Sequence, residues 1–454
     1  MTRADPGSFR DPASRIIFTG DRVLRLLDER GLRSWRALSD TDFFARATST
    51  NRLIDSVEAD YQTEGTAGAL EHPRLPFVSY PYEWTFSMLK DAALLQLDLL
   101  AEALGEGITI KDATPFNIQF VEGEPMFIDI GSFEEYSPGE PWIGYRQFTR
   151  QFLFPLMLRA DVGIPFQPWL RGDPEGPTAA EMKAILGFWQ RLRPSTLLHV
   201  SLQARMEQRL SGAPMREQLK SAGFGAEMIL TNVRKLKALV EGLEWEAPAE
   251  GWVGYETCEH VSRDRASKSD FLARALTTHQ PQRLIDLGGN DGHFSELAAE
   301  SGVHAIVVDG DEPVLDALYR RGSTVSIVLN NLTNPTPSQG WAGKERPGLG
   351  ERAQADLVVA YGLIHHLIYT ASIPPAEVVS WLASFDCSVI VEFVDPADPM
   401  VSRLTVNKLE AELHPGRSRP EFEALLSKHF ETIDTMTLGE GTRVLYSLRP
   451  QVSG

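Results

Sequence analysis

The chain is poor in cysteine, has no long apolar run, and carries too few basic residues to balance its acidic ones. Its 454 residues include only two cysteines, which excludes a disulfide framework, and no CxxC pair suggests zinc. No stretch of 18 apolar residues predicts a membrane span, and the polar N-terminus lacks a signal-peptide core. The net charge of −18 disfavours nucleic acid and anionic membranes as partners. We therefore predict a cytoplasmic protein that binds no metal, nucleic acid or membrane; its oligomeric state stays open.

The length of the chain predicts two domains, because one hydrophobic core rarely supports so many residues. The acidic, Pro/Gly-punctuated stretch EWEAPAEGW at 244–252 is the best linker. We place one domain at 1–245 and the other at 246–454. The first is predicted to be mainly helical with some β-structure, including helices at 86–104, 147–160, 179–193 and 226–243 and a hairpin at 118–130.

The second half alternates short apolar strands with helices. RLIDL, AIVVD, VSIVL, DLVVAY and SVIVEFV have almost no polar interior, which is typical of strands covered on both faces. Helical segments at 293–300, 313–321, 375–385 and 419–429 follow them, and ETIDTM with TRVLYSLR reads as a closing antiparallel hairpin. The alternation predicts an α/β fold with a doubly wound, Rossmann-like sheet.

A glycine-rich turn follows the first of these strands, in LIDLGGNDGHFSELAAESG at 284–302. Glycine permits a tight turn and close approach of a ligand to the backbone, and the free amides of a following helix can face that ligand. The next strand ends at Asp309, where a carboxylate can accept both hydroxyls of a ribose. Asp311 is the rival for that role, and helix capping is the alternative role for Asp309.

The spelling DxGxNxG resembles motif I of class I methyltransferases, with Asn290 where a glycine is usual, and departs from the GxGxxG of dehydrogenases. The resemblance implies S-adenosylmethionine (SAM) as the cofactor. Later segments, VSIVLNNL and ADLVVAYGLIHHL, match the regions that contact adenine and the methionine moiety. The cofactor-binding residues that the resemblance implies are Asp286, Gly288, Gly289, Asn290, Gly292, Asp309, Asn331, Leu332 and Tyr361, with Tyr255 and Lys268 upstream.

Two adjacent histidines follow the fourth strand and are candidate catalytic bases. His365 and His366 could deprotonate a hydroxyl or amine acceptor, since imidazole titrates near neutrality. The alternative is that either one only packs or orients a neighbour. Glu392, at the end of the fifth strand, is a further candidate, with a buried and internally satisfied carboxylate as the equal alternative.

A long Pro/Gly-rich insertion, 333–355, separates the third and fourth strands. Loops of this length in a compact domain are usually functional or disordered. Its Trp341 and charged residues, Glu345 and Arg346 among them, either shape an acceptor pocket or form an exposed loop.

The N-terminal half contains a motif that resembles the C-lobe of kinases. Asp112 and Asn117 have the DxxxxN spacing of a kinase catalytic loop, and Asp129-Ile130-Gly131 follows a strand pair as the metal-binding DFG does. A glycine-rich phosphate loop and a strand lysine are missing. We therefore predict a degenerate kinase-like domain that binds substrate or a partner, with live phosphotransfer and chance similarity as alternatives.

Segments across nearly the whole chain resemble the NoeA-type family of bacterial nodulation proteins, among them FVSYPYEWTFSMLKDAALL, KDATPFNIQF, DLGGNDGHFS and VEFVDPADPMV. The resemblance implies a SAM-dependent methyltransferase acting on a small-molecule acceptor by O- or N-methylation. A bifunctional kinase–methyltransferase and a non-catalytic SAM-binding scaffold remain as rival functions.

Overall fold

The computed structural model describes residues 2–187, 190, 199–200, 225–247, 259–438 and 441–451. The chain divides into two compact units. Unit 1 is Met1–Ala247 together with Gly340–Arg346, and unit 2 is Pro248–Gln339 together with Pro347–Gly454. Part of the long insertion thus groups with unit 1. None of the helices in the described part of the chain combines the length and apolar character that a membrane span requires.

Unit 1 begins with a five-stranded antiparallel sheet, which the sequence analysis did not predict. The strand order is β1-β2-β3-β5-β4, with β1 Thr2–Ala4, β2 Ser14–Thr19, β3 Arg22–Leu27, β4 Val57–Glu58 and β5 Gly68–His72. The β2–β3 hairpin turns at Gly20, whose φ of 59° suits glycine. Helices α1 (Glu29–Ser39) and α2 (Asp42–Ser49) follow β3; Asp28 caps α1 by accepting from the Gly31 amide.

The rest of unit 1 is mainly helical, as predicted. The long helix α3 (Phe86–Gly105) is buried on most of its surface. The predicted hairpin is present as β7 (Ile118–Val121) and β8 (Glu124–Phe127), and it turns through Glu122 and Gly123 at positive φ. A second strand pair joins β6 (Ile108–Ile110) to β9 (Phe133–Glu135).

The remaining helices of unit 1 include an irregular stretch from Tyr145 to Val162. Two α-helical turns, α4 (Tyr145–Phe148) and α5 (Phe154–Met157), alternate there with π-helical turns. Downstream helices are α6 (Gln167–Gly172), α7 (Ala179–Ile185) and α8 (Ala226–Glu241). Helix α7 ends earlier than predicted, at Ile185; most of 186–193 lies outside the described residues.

Unit 2 is built on a seven-stranded sheet whose order is β12-β11-β10-β13-β14-β16-β15. The strands are β10 Arg283–Leu287, β11 His304–Asp309, β12 Ser326–Leu329, β13 Leu357–Ala360, β14 Ser388–Val394, β15 Phe430–Leu438 and β16 Arg443–Pro450. The first five are parallel, and β16 pairs antiparallel with both β14 and β15. The predicted Rossmann-like sheet with a closing hairpin is confirmed.

Helices precede, connect and follow the parallel strands of unit 2. They are α9 Glu259–His279, α10 His293–Glu300, α11 Glu312–Arg320, α12 Leu349–Arg352, α13 Pro375–Ala383, α14 Pro399–Thr405 and α15 Arg419–Leu426. The chain leaves β10 towards β11 and β12 and then returns to β13 on the other side. This reversal opens a crevice at the carboxyl ends of β10 and β13, where ligands bind in open α/β sheets.

Candidate functional site

The turn after β10 lies at the point where the strand order reverses. Gly288 and Gly292 adopt φ values of +71° and +76°, and Asn290 has a φ of +49°. Asparagine tolerates this left-handed conformation better than most residues with a side chain, which explains how Asn290 stands where the family pattern has glycine. The N-cap of α10 is Gly292, which has no side chain to cap the helix. The first amide, that of His293, donates to Asp291 Oδ1 at 3.3 Å, and the amides that follow lack a partner within the helix.

The glycines of this turn are also required by packing beneath it. A Cβ on Gly289 would lie 2.6 Å from Val307 Cγ2 and 2.8 Å from the Asp286 carboxyl carbon. A Cβ on Gly292 would lie 2.7 Å from Leu318 Cδ2. The turn therefore packs directly against the sheet and α11, so packing requires its glycines as much as the approach of a ligand does.

Asp286 is buried beneath the turn. Its side chain is 1% exposed and accepts a hydrogen bond from Ser295 Oγ at 3.0 Å. Burial raises the pKa of Asp286 to about 7, more than the Ser295 hydrogen bond lowers it. In this structure the carboxyl joins the turn to α10, and its contact with the cofactor stays a prediction.

Asp309 ends β11 beside the turn and is half-buried. Its Oδ2 accepts from the Asn290 amide at 2.9 Å, and its Oδ1 accepts from the Asp311 amide at 2.9 Å. Burial raises the pKa of Asp309 despite these two hydrogen bonds. Each carboxylate oxygen retains a further lone pair, so the group is fixed in place and can still accept two hydroxyls.

Two adjacent asparagines after β12 differ in environment. Asn331 is exposed, and its side chain accepts from the amide and hydroxyl of Thr333, so it stabilises a turn. Asn330 is 5% exposed and donates to Thr336 Oγ1 at 2.5 Å, while its Oδ1 has no partner in the described part of the chain. The geometry therefore favours Asn330 over the predicted Asn331 as a ligand-binding residue; Leu332 is half-buried beside it.

Glu392 is enclosed in a network of charges. It is fully buried, and its two oxygens lie 2.6 Å from Lys268 Nζ and 3.2 Å from Arg443 Nη1. It also accepts from the Gly362 amide at 2.7 Å. Although burial opposes ionisation, Lys268 and Arg443 hold the pKa of Glu392 below its usual value. A carboxylate paired in this way does not take a proton from an acceptor, so the geometry argues against Glu392 as a catalytic base.

Lys268 and Tyr361 meet at the same edge of the sheet. The Lys268 amine lies 5.7 Å from the centre of the Tyr361 ring, and Tyr361 OH donates to the Lys268 carbonyl at 3.3 Å. Tyr361 also packs edge-to-face on Phe294 of α10, with ring centres 4.8 Å apart. These contacts tie α9 to the strand ends that border the crevice. Tyr255, the other upstream residue predicted to contact the cofactor, lies outside the described residues.

The two histidines after β13 are in contact, with their ring planes tilted by 41°, but differ in exposure. Their ring centres are 4.1 Å apart. His365 is 3% exposed, and its buried Nδ1 has no hydrogen-bond partner in the described part of unit 2. Burial, with a smaller contribution from His366, lowers the pKa of His365 to about 3. His366 is half-exposed and burial lowers its pKa as well. Both rings are therefore neutral near pH 7.

Sequence reasoning missed two residues of this site. Arg443 lies on the antiparallel strand β16, outside any motif, and binds both Glu392 and Asp398. Asn330 was passed over for its neighbour, although the burial pattern of β12 continues to it. Of these two residues, only Asn330 could have been found from the sequence, because an Asn-Asn pair follows the end of the strand.

In unit 1, the structure brings the motif residues Asn117 and Asp129 together through Ser132. Asn117 Nδ2 donates to Ser132 Oγ at 2.9 Å, and Ser132 Oγ donates to Asp129 Oδ2 at 2.5 Å. Arg25 of β3 pairs with Asp129 Oδ1 at 2.8 Å. Burial and the charge of Asp129 raise the pKa of Asp112. The insertion reaches this motif too, because the Arg346 guanidinium lies 4.1 Å from the Phe116 ring centre.

The chain resembles one curated protein over almost its whole length. It is 31% identical over 460 residues to nodulation protein NoeA of Rhizobium meliloti (strain 1021), and the match covers 97% of this chain and 95% of that protein. The chain belongs to the NoeA family. No protein-family model matches it.

Two solved structures that the chain resembles each match less than half of it. N-methyltransferase NodS from Bradyrhizobium japonicum WM9, in complex with S-adenosyl-L-homocysteine, is 12% identical with a TM-score of 0.32; the match covers 44% of this chain and 93% of NodS. PH0226 from Pyrococcus horikoshii OT3 is 15% identical with a TM-score of 0.32, covering 44% and 98%. At these identities and scores the likeness bears on neither activity nor substrate.

Proposed function

We propose that unit 2 binds SAM at the carboxyl edge of its parallel sheet and transfers the methyl group to an oxygen or nitrogen of a small-molecule acceptor. The observation that carries the proposal is the pairing of the glycine turn with Asp309. The Asn290 amide donates to Asp309 at 2.9 Å, so a bare stretch of backbone and an acidic strand end are held side by side. The crevice lies where the order of the parallel strands reverses between β10 and β13, which is where ligands bind in open α/β sheets.

The residues of the crevice fit the parts of the cofactor. Asp309 suits a ribose, because each of its oxygens keeps a lone pair for a hydroxyl. The unpartnered Oδ1 of buried Asn330 suits the exocyclic amino group of adenine, since a buried acceptor without a donor is costly. The amides at the start of α10 and the turn at Gly288 suit the polar end of the methionine moiety.

When bound, SAM supplies an electrophilic methyl group on a sulfonium. The residues of the chain align the acceptor with that methyl group and exclude water, which is where most of the acceleration of such a transfer arises. For an acceptor that must lose a proton, His366 is the better base, because it is half-exposed whereas His365 is 3% exposed. A base with a strongly lowered pKa is a weak proton acceptor, so we assign His365 to packing against His366.

The Glu392 network has a positioning role in this proposal. Glu392 accepts from the Gly362 amide and so fixes the loop that carries both histidines. Lys268, which we predicted to contact the cofactor, contributes through its ion pair with Glu392 and its contact with Tyr361. Both residues act through others, without contacting the reacting atoms.

The test of SAM binding is calorimetry of the full chain with Asp309→Ala and Gly288→Val. We expect each to weaken binding about tenfold or more, because a hydrogen-bonded carboxylate and a positive-φ glycine are lost. Asp434→Ala is the matched control, since Asp434 is a half-exposed partner of Arg274. Unchanged affinity in both site variants would refute the cofactor assignment.

Transfer of radiolabel from tritiated SAM to a metabolite extract separates an enzyme from a non-catalytic SAM-binding scaffold. Label in a product that depends on His366 supports the enzyme; binding of SAM without transfer to any acceptor favours the scaffold. Because the relative is named for nodulation, nodulation-factor precursors belong in that screen beside other small metabolites. We do not favour a bifunctional kinase–methyltransferase, because Asp129, which would hold the metal, is already paired with Arg25.

A further inference from the structure

A buried guanidinium lies where unit 1 has its candidate metal ligands. Arg25 is 7% exposed, and its Nη1 lies 2.8 Å from Asp129 Oδ1. The same nitrogen donates to Ser14 Oγ at 3.0 Å. Asp129 is the acidic residue that the DxxxxN…D pattern would give to a divalent cation. In this structure, the positive charge beside Asp129 is the guanidinium of Arg25.

The other oxygen of Asp129 is occupied as well. It accepts from Ser132 Oγ, whose oxygen in turn accepts from Asn117 Nδ2. Magnesium requires near-octahedral oxygen coordination at about 2.0–2.1 Å, and while Arg25 and Ser132 engage both oxygens of Asp129, this carboxylate is not available to supply it. Within the described residues, no group of three or more His, Cys, Asp or Glu side chains is arranged to hold a metal.

The surroundings of Arg25 hold the guanidinium in this position. Its Nε donates to His72 Nε2 at 3.3 Å, and His72 Nδ1 lies 2.9 Å from Ser56 Oγ. Burial, together with the charge of Arg25, lowers the pKa of His72 to about 4, so the ring remains a neutral acceptor. Gly131 leaves room for the group, because a Cβ there would lie 3.0 Å from Arg25 Nη1.

We propose that Arg25 is the built-in cation of this site: its guanidinium takes the place of a divalent ion at Asp129, so unit 1 binds neither free Mg²⁺ nor a Mg²⁺–nucleotide there. The proposal is independent of methyl transfer in unit 2. It also explains how the motif residues serve unit 1: Arg25 on β3 and Asp129 after β8 join the antiparallel sheet to the hairpin region.

The proposal predicts that removing the guanidinium creates a cation site. Without Arg25, the Asp129 carboxylate loses the positive charge that lies 2.8 Å from its Oδ1. Asp112 lies in the same part of unit 1, where burial first and the charge of Asp129 second raise its pKa. Like charges placed close together attract a divalent ion. Arg25→Met keeps much of the side-chain volume while removing the charge.

Mn²⁺ binding to the full chain, measured by electron paramagnetic resonance, is the direct test. Because the acidic surface binds Mn²⁺ weakly, the Arg25→Met/Asp129→Asn double variant gives the background. We expect Arg25→Met to bind one Mn²⁺ at least about tenfold more tightly than that background. The unmodified chain and Arg25→Lys should show only the background binding. Arg22→Met is the matched control, since Arg22 lies on the same strand in an exposed pair with Glu71.

Two results would overturn the proposal. One is a folded Arg25→Met, checked by circular dichroism, that binds Mn²⁺ no better than the double variant. The other is an unmodified chain that binds Mn²⁺ or Mg²⁺–ATP and loses that binding on Asp129→Asn. If Arg25→Met does not fold, the comparison of the unmodified chain with Asp129→Asn decides alone. Identical titrations of these two proteins with Mn²⁺ and with Mg²⁺–ATP would support the built-in cation.

Discussion

The protonation of Asp286 gives a prediction whose size can be worked out from the structure. The side chain is 1% exposed, and burial raises its pKa from 3.8 to about 7. Between these two pH values the unfolded chain carries the ionised carboxylate while the folded chain keeps the proton. The contribution of Asp286 to the free energy of unfolding is therefore fully present below pH 3.8 and is lost as the pH rises through 7.

The size of this loss follows from the shift of about three pKa units. At 1.36 kcal/mol per unit, Asp286 lowers the free energy of unfolding of unit 2 by about 4 kcal/mol between pH 4 and pH 8. Asp286→Asn removes the titration and keeps an oxygen that can accept from Ser295 Oγ. The stability of the variant relative to the unmodified protein should therefore rise by about 4 kcal/mol over this pH range.

Hydrogen exchange read on peptides from β10 and β11 measures the stability of this sheet without interference from unit 1. After correction for the pH dependence of intrinsic exchange, protection at pH 8 should be higher in Asp286→Asn than in the unmodified chain, and the difference should shrink towards pH 4. Asp434→Asn is the matched control, because Asp434 is half-exposed in its pair with Arg274. A pH-dependent difference below about 1 kcal/mol would show that Asp286 is ionised in the folded chain.

Three further perturbations address the packing and charges of the same site. Gly289→Ala should destabilise unit 2 by about 1–3 kcal/mol, because its Cβ would lie 2.6 Å from Val307 Cγ2; an unchanged melting temperature would contradict this. Glu392→Gln removes the carboxylate that pairs with half-buried Lys268 and leaves Arg443 its pair with Asp398; it should cost about 3 kcal/mol in urea unfolding, with partial rescue by adding Lys268→Met, and no rescue would argue against the ion pair. His366→Gln should lower the rate of methyl transfer and abolish its acidic pH limb while His365→Gln retains the limb, and the reverse pattern would exchange the two roles.

The fold of unit 2 was predictable because its strands are continuous apolar runs that alternate with helical segments. Each predicted strand and helix of 283–450 is present, with ends shifted by a few residues at most. The sheet at the start of unit 1 was missed. Two of its strands leave no signal, because β1 is exposed along its length and β4 has two residues, and only pairing with β2 and β5 makes them strands. β2 and β3 have six residues each and carry apolar residues, and the sequence analysis overlooked them.

For the site, the sequence by itself determined which strand ends and which turn would carry the polar groups, because glycines and acidic residues at strand ends are local signals. Tertiary structure decided the surroundings of each group. It buried Asp286 beneath the turn, left Asn331 exposed beside buried Asn330, and paired Glu392 with Lys268 and Arg443. It likewise joined Arg25 to Asp129. Such pairings connect residues far apart along the chain, and burial and charge compensation exist only once the chain has folded around them.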